Sequence, residues 1–343
     1  MPRKTETIYS VLKQELQDGA YRPGSCFASE PSLMRRFGVS RITINKITEL
    51  LVAEGFLVRG RKGEGTRVAS SQPFPIGRLA LIVPYQNPYY DFLAKEIQRA
   101  ALEHGYCVIL FYPYFGGESR CLDMILRGRF IGLISCGIGM LPADFPLPVV
   151  YLDQGTPNDG VPRCSVTSND YQAAHNIVDA VCRRGHRDIA VHVGIDPMEY
   201  NRQRRRNGFW DALNKNGISA PHQRIFAEPV TTPAKARDFW PRLLQAFPNV
   251  TVLLTDSNMP ALRLMITKKD FPQAANVVVT TFSNTPLIDM LYHLPSVEQH
   301  PEELANLAVA ELLHNATHPD APHLKETELP TSLVNLDHIP IIN

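Results

Sequence analysis

The sequence predicts an α/β protein in which an N-terminal winged helix-turn-helix precedes a two-lobed core built on parallel sheets. Three observations predict it. The run from Ser40 to Gly55 carries the caps and divided faces of a helix that packs on one side and is basic and polar on the other. A basic hairpin punctuated by glycines follows it. Beyond residue 77, apolar strands alternate with amphipathic helices, as in a parallel sheet covered on both faces, and the number of such units fits two lobes better than one.

The elements follow in chain order. Ile8, Leu12 and Leu16 space a first helix that stops at Gly19, and Tyr21-Arg22-Pro23-Gly24 turns the chain. Ser29 caps a short second helix ending at Phe37, with Pro31 tolerated in its first turn, and Gly38 opens a tight turn. In the third helix Ser40 is the N-cap and Gly55 the stop. Ile44, Ile47, Leu50 and Leu51 make the inward stripe, while Arg41, Thr43, Asn45 and Lys46 crowd the N-terminal end of the opposite side. That is the composition of a helix that enters a DNA groove. Residues 56–59 and 66–69 read as short strands joined by Gly60-Arg61-Lys62-Gly63-Glu64-Gly65, a wing.

Residues 70–77, with small residues and two prolines, form a linker too short to let the parts wander far. The expected boundaries are 1–69 for the DNA-binding domain and 78–343 for the core, whose chain passes between lobes near 165 and within 284–300. In the core, strands are expected at 79–83, 106–111, 131–135, 149–152, 189–193, 250–254 and 276–280. Helices are expected at 91–104, 119–127, 169–183 and 202–216.

Charge is unevenly placed. Residues 1–70 hold twelve Lys and Arg against seven Asp and Glu, although the whole chain is only +1, so the basic excess belongs to one end and fits a partner made of phosphates. Ser29, Arg35, Arg36, Arg61 and Lys62 join the third helix, from Ser40 to Lys46, as candidate contacts to double-stranded DNA. At 44% hydrophobic and 20% charged, 343 residues suffice for two folding units with large cores. No run of eighteen apolar residues occurs and the start, Met-Pro-Arg-Lys-Thr-Glu, is not an apolar leader, so a cytoplasmic protein without a membrane partner is expected. The six cysteines lack a Cys-x-x-Cys pair and read as reduced packing residues, with no metal or cofactor. Phosphate-loop, nucleophile-elbow and zinc-protease motifs are missing, and Gly137-Ile138-Gly139 fails the dinucleotide pattern, so an enzyme is not expected.

The segment Thr7 to Ala69 resembles the winged helix of GntR-family transcription factors. The anchors are Pro23-Gly24, Ser29-Glu30, Gly38-Val39-Ser40-Arg41-Ile42-Thr43-Ile44, Leu50, Ala53-Glu54-Gly55-Phe56-Leu57 and Gly63-Glu64-Gly65-Thr66, all at the family's spacing. The resemblance implies that Arg41 contacts a guanine edge and that Gly63 enters the minor groove. Pro31 and Asn45 stand where many relatives carry arginine, so their operator does not transfer.

From about Gly77 onward the chain resembles the sugar-binding core of LacI/GalR-family repressors, a periplasmic-binding-protein-like fold. Ile82-Val83-Pro84 with Asn87-Pro88-Tyr89-Tyr90, His104-Gly105-Tyr106, Pro148 to Asp153, Asn169-Asp170, Arg184-Gly185-His186-Arg187 and Arg205-Arg206-Asn207-Gly208-Phe209 carry the likeness in order. The combination resembles the architecture of arabinose-repressor-type regulators. It implies a ligand site with Tyr89 and Tyr90 as ring faces, Asp153 as acceptor of ligand hydroxyls, Arg205 as a forked donor and Asp256 near a polar position. Ser283 stands where the family usually has an aspartate, which makes an ordinary hexose or pentose less secure as the ligand. Arg202, Arg204 and Arg206 read as a solvated helix face. The function so implied is a homodimeric transcriptional repressor of a carbohydrate-utilisation operon, its operator affinity set by a sugar-like effector. The alternative is a core that takes a non-sugar or phosphorylated ligand or serves mainly for dimerisation and protein contacts.

Overall fold

A computed structural model describes all residues except 1–2, 18, 62–64, 71–74, 85–86, 115, 138, 140, 143, 156–159, 196–199 and 343. It divides into two compact units, Met1–Gly77 and Arg78–Asn343.

The first unit holds α1 (Arg3–Gln17), α2 (Glu30–Phe37), α3 (Arg41–Ala53), β1 (Leu57–Arg59) and β2 (Thr66–Val68). Ile8, Leu12 and Leu16 of α1 are buried with Leu33 of α2 and Ile44, Ile47 and Leu51 of α3, so one small core orients all three helices. The hydroxyls of Ser29 and Ser40 accept the Ser32 and Thr43 amides at 3.4 and 3.3 Å, which starts α2 and α3. Gly38 takes φ +61°, the left-handed conformation that ends α2 without strain. The expected apolar stripe of α3 needs one correction. Thr48 is buried and Leu50 is only half-buried, because at about 100° per residue Thr48 falls only about 40° from Ile44, while Leu50 falls about 100° from Leu51 and further from Ile44. β1 and β2 pair antiparallel, with Leu57 opposite Val68. The wing-tip residues Lys62 and Gly63 lie outside the described residues.

The second unit opens with β3 (Gly77–Ile82), α4 (Pro88–Glu103), β4 (Tyr106–Phe111), α5 (Glu118–Arg127), β5 (Gly132–Cys136), β6 (Val149–Leu152) and β7 (Cys164–Ser168). It continues with α6 (Asp170–Arg183), β8 (Ile189–Val193), α7 (Tyr200–Lys215), β9 (Ile225–Ala227), α8 (Pro233–Ala246), β10 (Val252–Thr255), α9 (Asn258–Lys268), β11 (Val278–Val279) and β12 (Thr281–Phe282). It closes with α10 (Pro286–Tyr292), β13 (Ser296–Glu298), α11 (Pro301–Thr317), β14 (Glu326–Leu329) and β15 (Ser332–Val334).

Lobe 1 is a six-stranded sheet ordered β14-β7-β6-β5-β3-β4, parallel from β14 through β3. Along β3 the side chains alternate: Leu79 and Leu81 pack with α4 and α11, Ala80 and Ile82 with Ile125 of α5. Lobe 2 has the parallel sheet β11-β10-β8-β9 between α6 and α7 on one face and α8 and α9 on the other, and a small sheet β12-β13-β15 beside it. The strand expected at 276–280 is confined to Val278–Val279, and a separate strand follows it at Thr281–Phe282. Val278 and Val279 pair with β10, whereas the Thr281 amide bonds Pro295 O and Phe282 pairs with Val297, so the chain changes sheets at Thr280.

Among the described residues the chain passes between lobes three times: between Ser168 and Asp170, at Gln299–His300, and at Pro330–Thr331. The third passage is absent from the sequence reading. The cysteines carry no disulfide; Cys136, Cys164 and Cys182 are buried, but Cys26 is exposed and so is not a packing residue.

Candidate functional site

In the first unit, α3 sets its N-terminal end outward. The Arg41 side chain is 73% exposed and only its Nε meets Glu30, at 2.8 Å, an exposed pair weak enough for a competing partner to displace. Ser29, Arg35, Ser40, Lys46 and Arg61 are exposed and Thr43 half-buried. Arg36 is engaged elsewhere. It forks onto the carboxylate of Glu15 and lies over the Phe37 ring at 4.7 Å, which ties α2 to α1 and holds the Glu15 carboxyl below its ordinary range. Asn45 is half-buried, and its Oδ1 is buried without a partner. The sequence reading passed over Ile42, which is 81% exposed at the start of α3. An apolar residue so placed has no packing role.

In the second unit a cavity of about 160 Å³ lies where the strands of both lobes end. Asn87, Tyr89 and Tyr90 come from the β3–α4 junction, Gly137 and Gly139 follow β5, and Asp153 and Gln154 follow β6; Tyr200, Asn201, Arg202 and Arg205 come from α7, Ser257 and Asn258 from the start of α9, and Ser283 from the end of β12. The carboxyl ends of parallel strands gather polar groups because helix N-termini and short loops converge there.

Asp153 sits at φ +51° and takes two bonds from Asn201 Nδ2, at 2.7 Å to its carbonyl and 3.0 Å to its carboxylate. Arg205, 7% exposed, pairs with Asp170 at 3.0 Å, donates to the Asp256 carbonyl at 2.7 Å and lies 4.5 Å from the Phe282 ring centre. Burial works against its charge, but the carboxylates of Asp170, Asp153 and Asp256 outweigh burial and raise its pKa above the ordinary arginine value. Burial pushes Asp170 up, with Arg205 and the Ser168 hydroxyl opposing. Burial also raises Tyr89, aided by Asp153, so its phenol stays protonated.

The five residues Tyr89, Tyr90, Asp153, Arg205 and Ser283 thus surround one space. Asp256 does not line it. Its carboxylate accepts the Gly194 amide at 2.9 Å, the Ser257 hydroxyl at 3.2 Å and faces Arg202 at 3.6 Å, so it stands behind the wall and positions α7 and α9. The solvated reading is corrected for two of the three arginines, since Arg202 lines the cavity and Arg204 pairs with Glu328 across the lobes, whereas Arg206 is exposed. Ser283 donates to Gln299 Oε1, and Gln299 Nε2 donates to Ser168 at 2.8 Å and to Asp153 at 3.4 Å. Asn201, Asn258 and Gln299 escaped the sequence reading. Asn201 carried a signal, since it stands one helical turn before Arg205 and shares its face.

The sequence profile described as periplasmic binding proteins and sugar binding domain of LacI family matches residues 77–319. The chain belongs to that family. Ahead of its LacI-type core, the profile of bacterial regulatory proteins of the gntR family matches residues 4–68, so the head is a GntR-type winged helix. Among curated proteins, the arabinose metabolism transcriptional repressor of Halalkalibacterium halodurans is 27% identical over 246 residues, 64% of each chain. The histidine utilization repressor of Pseudomonas putida is 32% identical over 120 residues, 35% of this chain and 44% of its own. The chain therefore spans less than two thirds of the length of the relatives it matches. The transcription regulator CcpA of Lactococcus lactis overlays 75% of this chain and 97% of its own with a TM-score of 0.65 at 19% identity, and a putative ribose operon repressor from Burkholderia thailandensis overlays 76% and 99% with 0.63 at 22%. These likenesses show that the LacI-type core has the two-lobed fold. No helix among the described residues is long and apolar enough to cross a membrane, and no group of three or more ligating side chains among them could hold a metal ion.

Proposed function

We propose that the protein is a cytoplasmic DNA-binding transcriptional regulator, a repressor of a carbohydrate-utilisation operon, whose operator affinity is changed by a small sugar-like effector held in the interlobe cavity. The observation that carries this reading is the cavity itself: a polar space at the strand ends of two lobes, on a chain whose other unit is a winged helix with an exposed Arg41. Asp153 and Gln154 can accept and donate to hydroxyls from lobe 1, Arg205 and Ser283 from lobe 2, and Tyr89 and Tyr90 can cover apolar C–H faces. A cavity of about 160 Å³ is of the order that a single sugar unit occupies. The relatives named as repressors of arabinose metabolism and of histidine utilization support the regulatory class.

A homodimer belongs to the same reading. Leu287, Met290 and Leu291 of α10 are 38%, 71% and 52% exposed, an apolar face on lobe 2 that a second copy would cover, setting two heads at half-sites related by two-fold symmetry. The test is fluorescence anisotropy with DNA from upstream of the protein's own gene, against a random duplex of equal length. A specific excess of at least about a hundredfold, reversed or strengthened by a sugar, is the expected result. Equal affinity for both duplexes would remove the regulator reading, and sedimentation velocity that shows a monomer at micromolar concentration would remove the dimer.

A further inference from the structure

We infer that the effector is a sugar-sized polyol bearing an anionic group, a carboxylate or phosphate, and that this group seats against the first turn of α9 in the interlobe cavity. The inference rests on the effector reading above and adds the ligand's chemical class.

The cavity has more donors than its own residues satisfy. Asn258 is 4% exposed, lines the cavity, and its Nδ2 has no hydrogen-bond partner. Arg205 Nε and the Tyr89 hydroxyl, on two further residues that line the space, are likewise buried and unpartnered. Buried polar groups are almost always bonded, so three orphans around one space mark where a ligand's acceptors belong.

The helix that carries Asn258 reinforces this. In α4 and α6 the side chains of Asn87 and Asn169 accept a first-turn amide, each at 3.1 Å. In α9 the capping position is Ser257, and no side chain caps the turn; the Ser257 hydroxyl donates to Asp256 at 3.2 Å. The first amides of an uncapped helix carry the positive end of its dipole, and here they adjoin the cavity that Ser257 and Asn258 line. Arg202, a quarter exposed, adds a guanidinium to the same wall.

The nearby carboxylates do not cancel this arrangement. Asp256 is fully buried, accepts from Gly194 and Ser257 and faces Arg202, and Asp170 is paired with Arg205; neither carboxylate lines the cavity. Asp153 does line it, from the other lobe, where it suits the hydroxyl end of the ligand. A hydroxyl can accept at two lone pairs only while giving up a donor that must itself be met, whereas a carboxylate or phosphate oxygen accepts without donating. A donor-rich wall facing an acceptor across a monosaccharide-sized space therefore selects an acidic sugar.

The test is isothermal titration of the protein, head and core together, with L-arabinose, D-galacturonate and D-glucose 6-phosphate, followed by the variants Asn258→Asp and Asn258→Ala. At least one charged probe should bind about tenfold or more tighter than arabinose, and which one does so separates carboxylate from phosphate. Asn258→Asp should abolish that preference, and Asn258→Ala, which removes the donor without adding charge, should reduce it. Both variants should melt as the unliganded wild type does. Tighter binding of arabinose, or a charged preference that survives Asn258→Asp, would overturn the inference and leave the effector reading standing. Failure of all three probes to bind would overturn both.

Discussion

Asp153 and Ser283 share an uncommon feature: each is the first residue past a strand that ends at the cavity, and each holds a left-handed backbone, at φ +51° and +68°. Such conformations cost about 1–3 kcal/mol and persist where the surroundings over-determine them, which at Asp153 means Asn201 and at Ser283 means Gln299. Positions of this kind were legible in the sequence because the end of an apolar run marks the end of a strand. Their partners were not. Gln299 reaches Asp153 and Ser168 across 146 and 131 residues, a separation that no local pattern encodes. The buried setting of Arg205 also decides what its removal does. Arg205→Ala leaves Asp170 buried without its counter-charge and should destabilise the fold by about 3–5 kcal/mol, a loss that Asp170→Asn in the same chain should partly restore. A single variant as stable as wild type in urea would show that the pair does not hold α7 to α6. In the head, Ile42→Ala should weaken operator binding and relax choice at a thymine, since an exposed apolar side chain at the start of α3 suits a base methyl group. Arg41→Ala should cost about 1–3 kcal/mol on the operator alone. Equal losses of both variants on specific and random duplexes would reassign them to backbone contact.

The elements that sequence periodicity located best are those whose whole surface is apolar or cleanly divided, such as β8, whose five residues are all buried. Elements fixed by a change of partner were harder to see. The run of strand-favouring residues from Val277 to Phe282 is continuous, yet it serves two sheets, and only the bonding of Thr280 to Leu253 and of Thr281 to Pro295 marks the switch. The segment after α11 is held by charge instead of apolar burial. Glu311, 7% exposed, meets His323 Nδ1 at 2.8 Å and Lys325 Nζ at 3.2 Å, while Asn315 and His323 exchange two bonds, so α11 clasps the approach to β14. Burial would raise the Glu311 carboxyl, but His323 and Lys325 outweigh it and hold the pKa below the ordinary value. A depressed folded-state pKa means that the stabilisation is present above the unfolded carboxyl pKa and is lost as pH falls through the folded value. Glu311→Gln should therefore cost about 1.5–3 kcal/mol at pH 7, and the gap between variant and wild type should close progressively below about pH 4.3. A gap that stayed constant from neutral pH to pH 3 would mean that Glu311 acts through packing and not through charge.

At the scale of the whole molecule, the cavity and the passages between lobes are one structure. Ser168 and Asp170 flank the first passage, Gln299 stands on the second, and Glu328 just before the third pairs with Arg204 of the opposite lobe. Through Gln299 the first two passages are bonded to each other and to Asp153 and Ser283, the two strained residues at the cavity. A ligand that engages those residues therefore contacts the groups that fix the angle between lobes, and a differential interaction with two angles is what any coupling between effector and DNA requires. Gln299→Leu keeps the volume nearly constant but leaves Ser168 and Ser283 without their amide partner, so the two lobes lose a shared constraint while the head is untouched. Operator affinity of the unliganded variant should stay within about twofold of wild type, since the head that carries it is a separate compact unit in which no residue is changed. The ratio of operator affinities with and without saturating effector, measured by anisotropy, should fall by about fivefold or more, the lower end of ordinary coupling. Because coupling is reciprocal, saturating operator should shift the variant's effector affinity by the same reduced factor. A variant that binds effector more weakly yet keeps the full ratio at saturation would show that Gln299 serves the cavity alone, and the linkage would then have to run through α7 and its bond to Glu328.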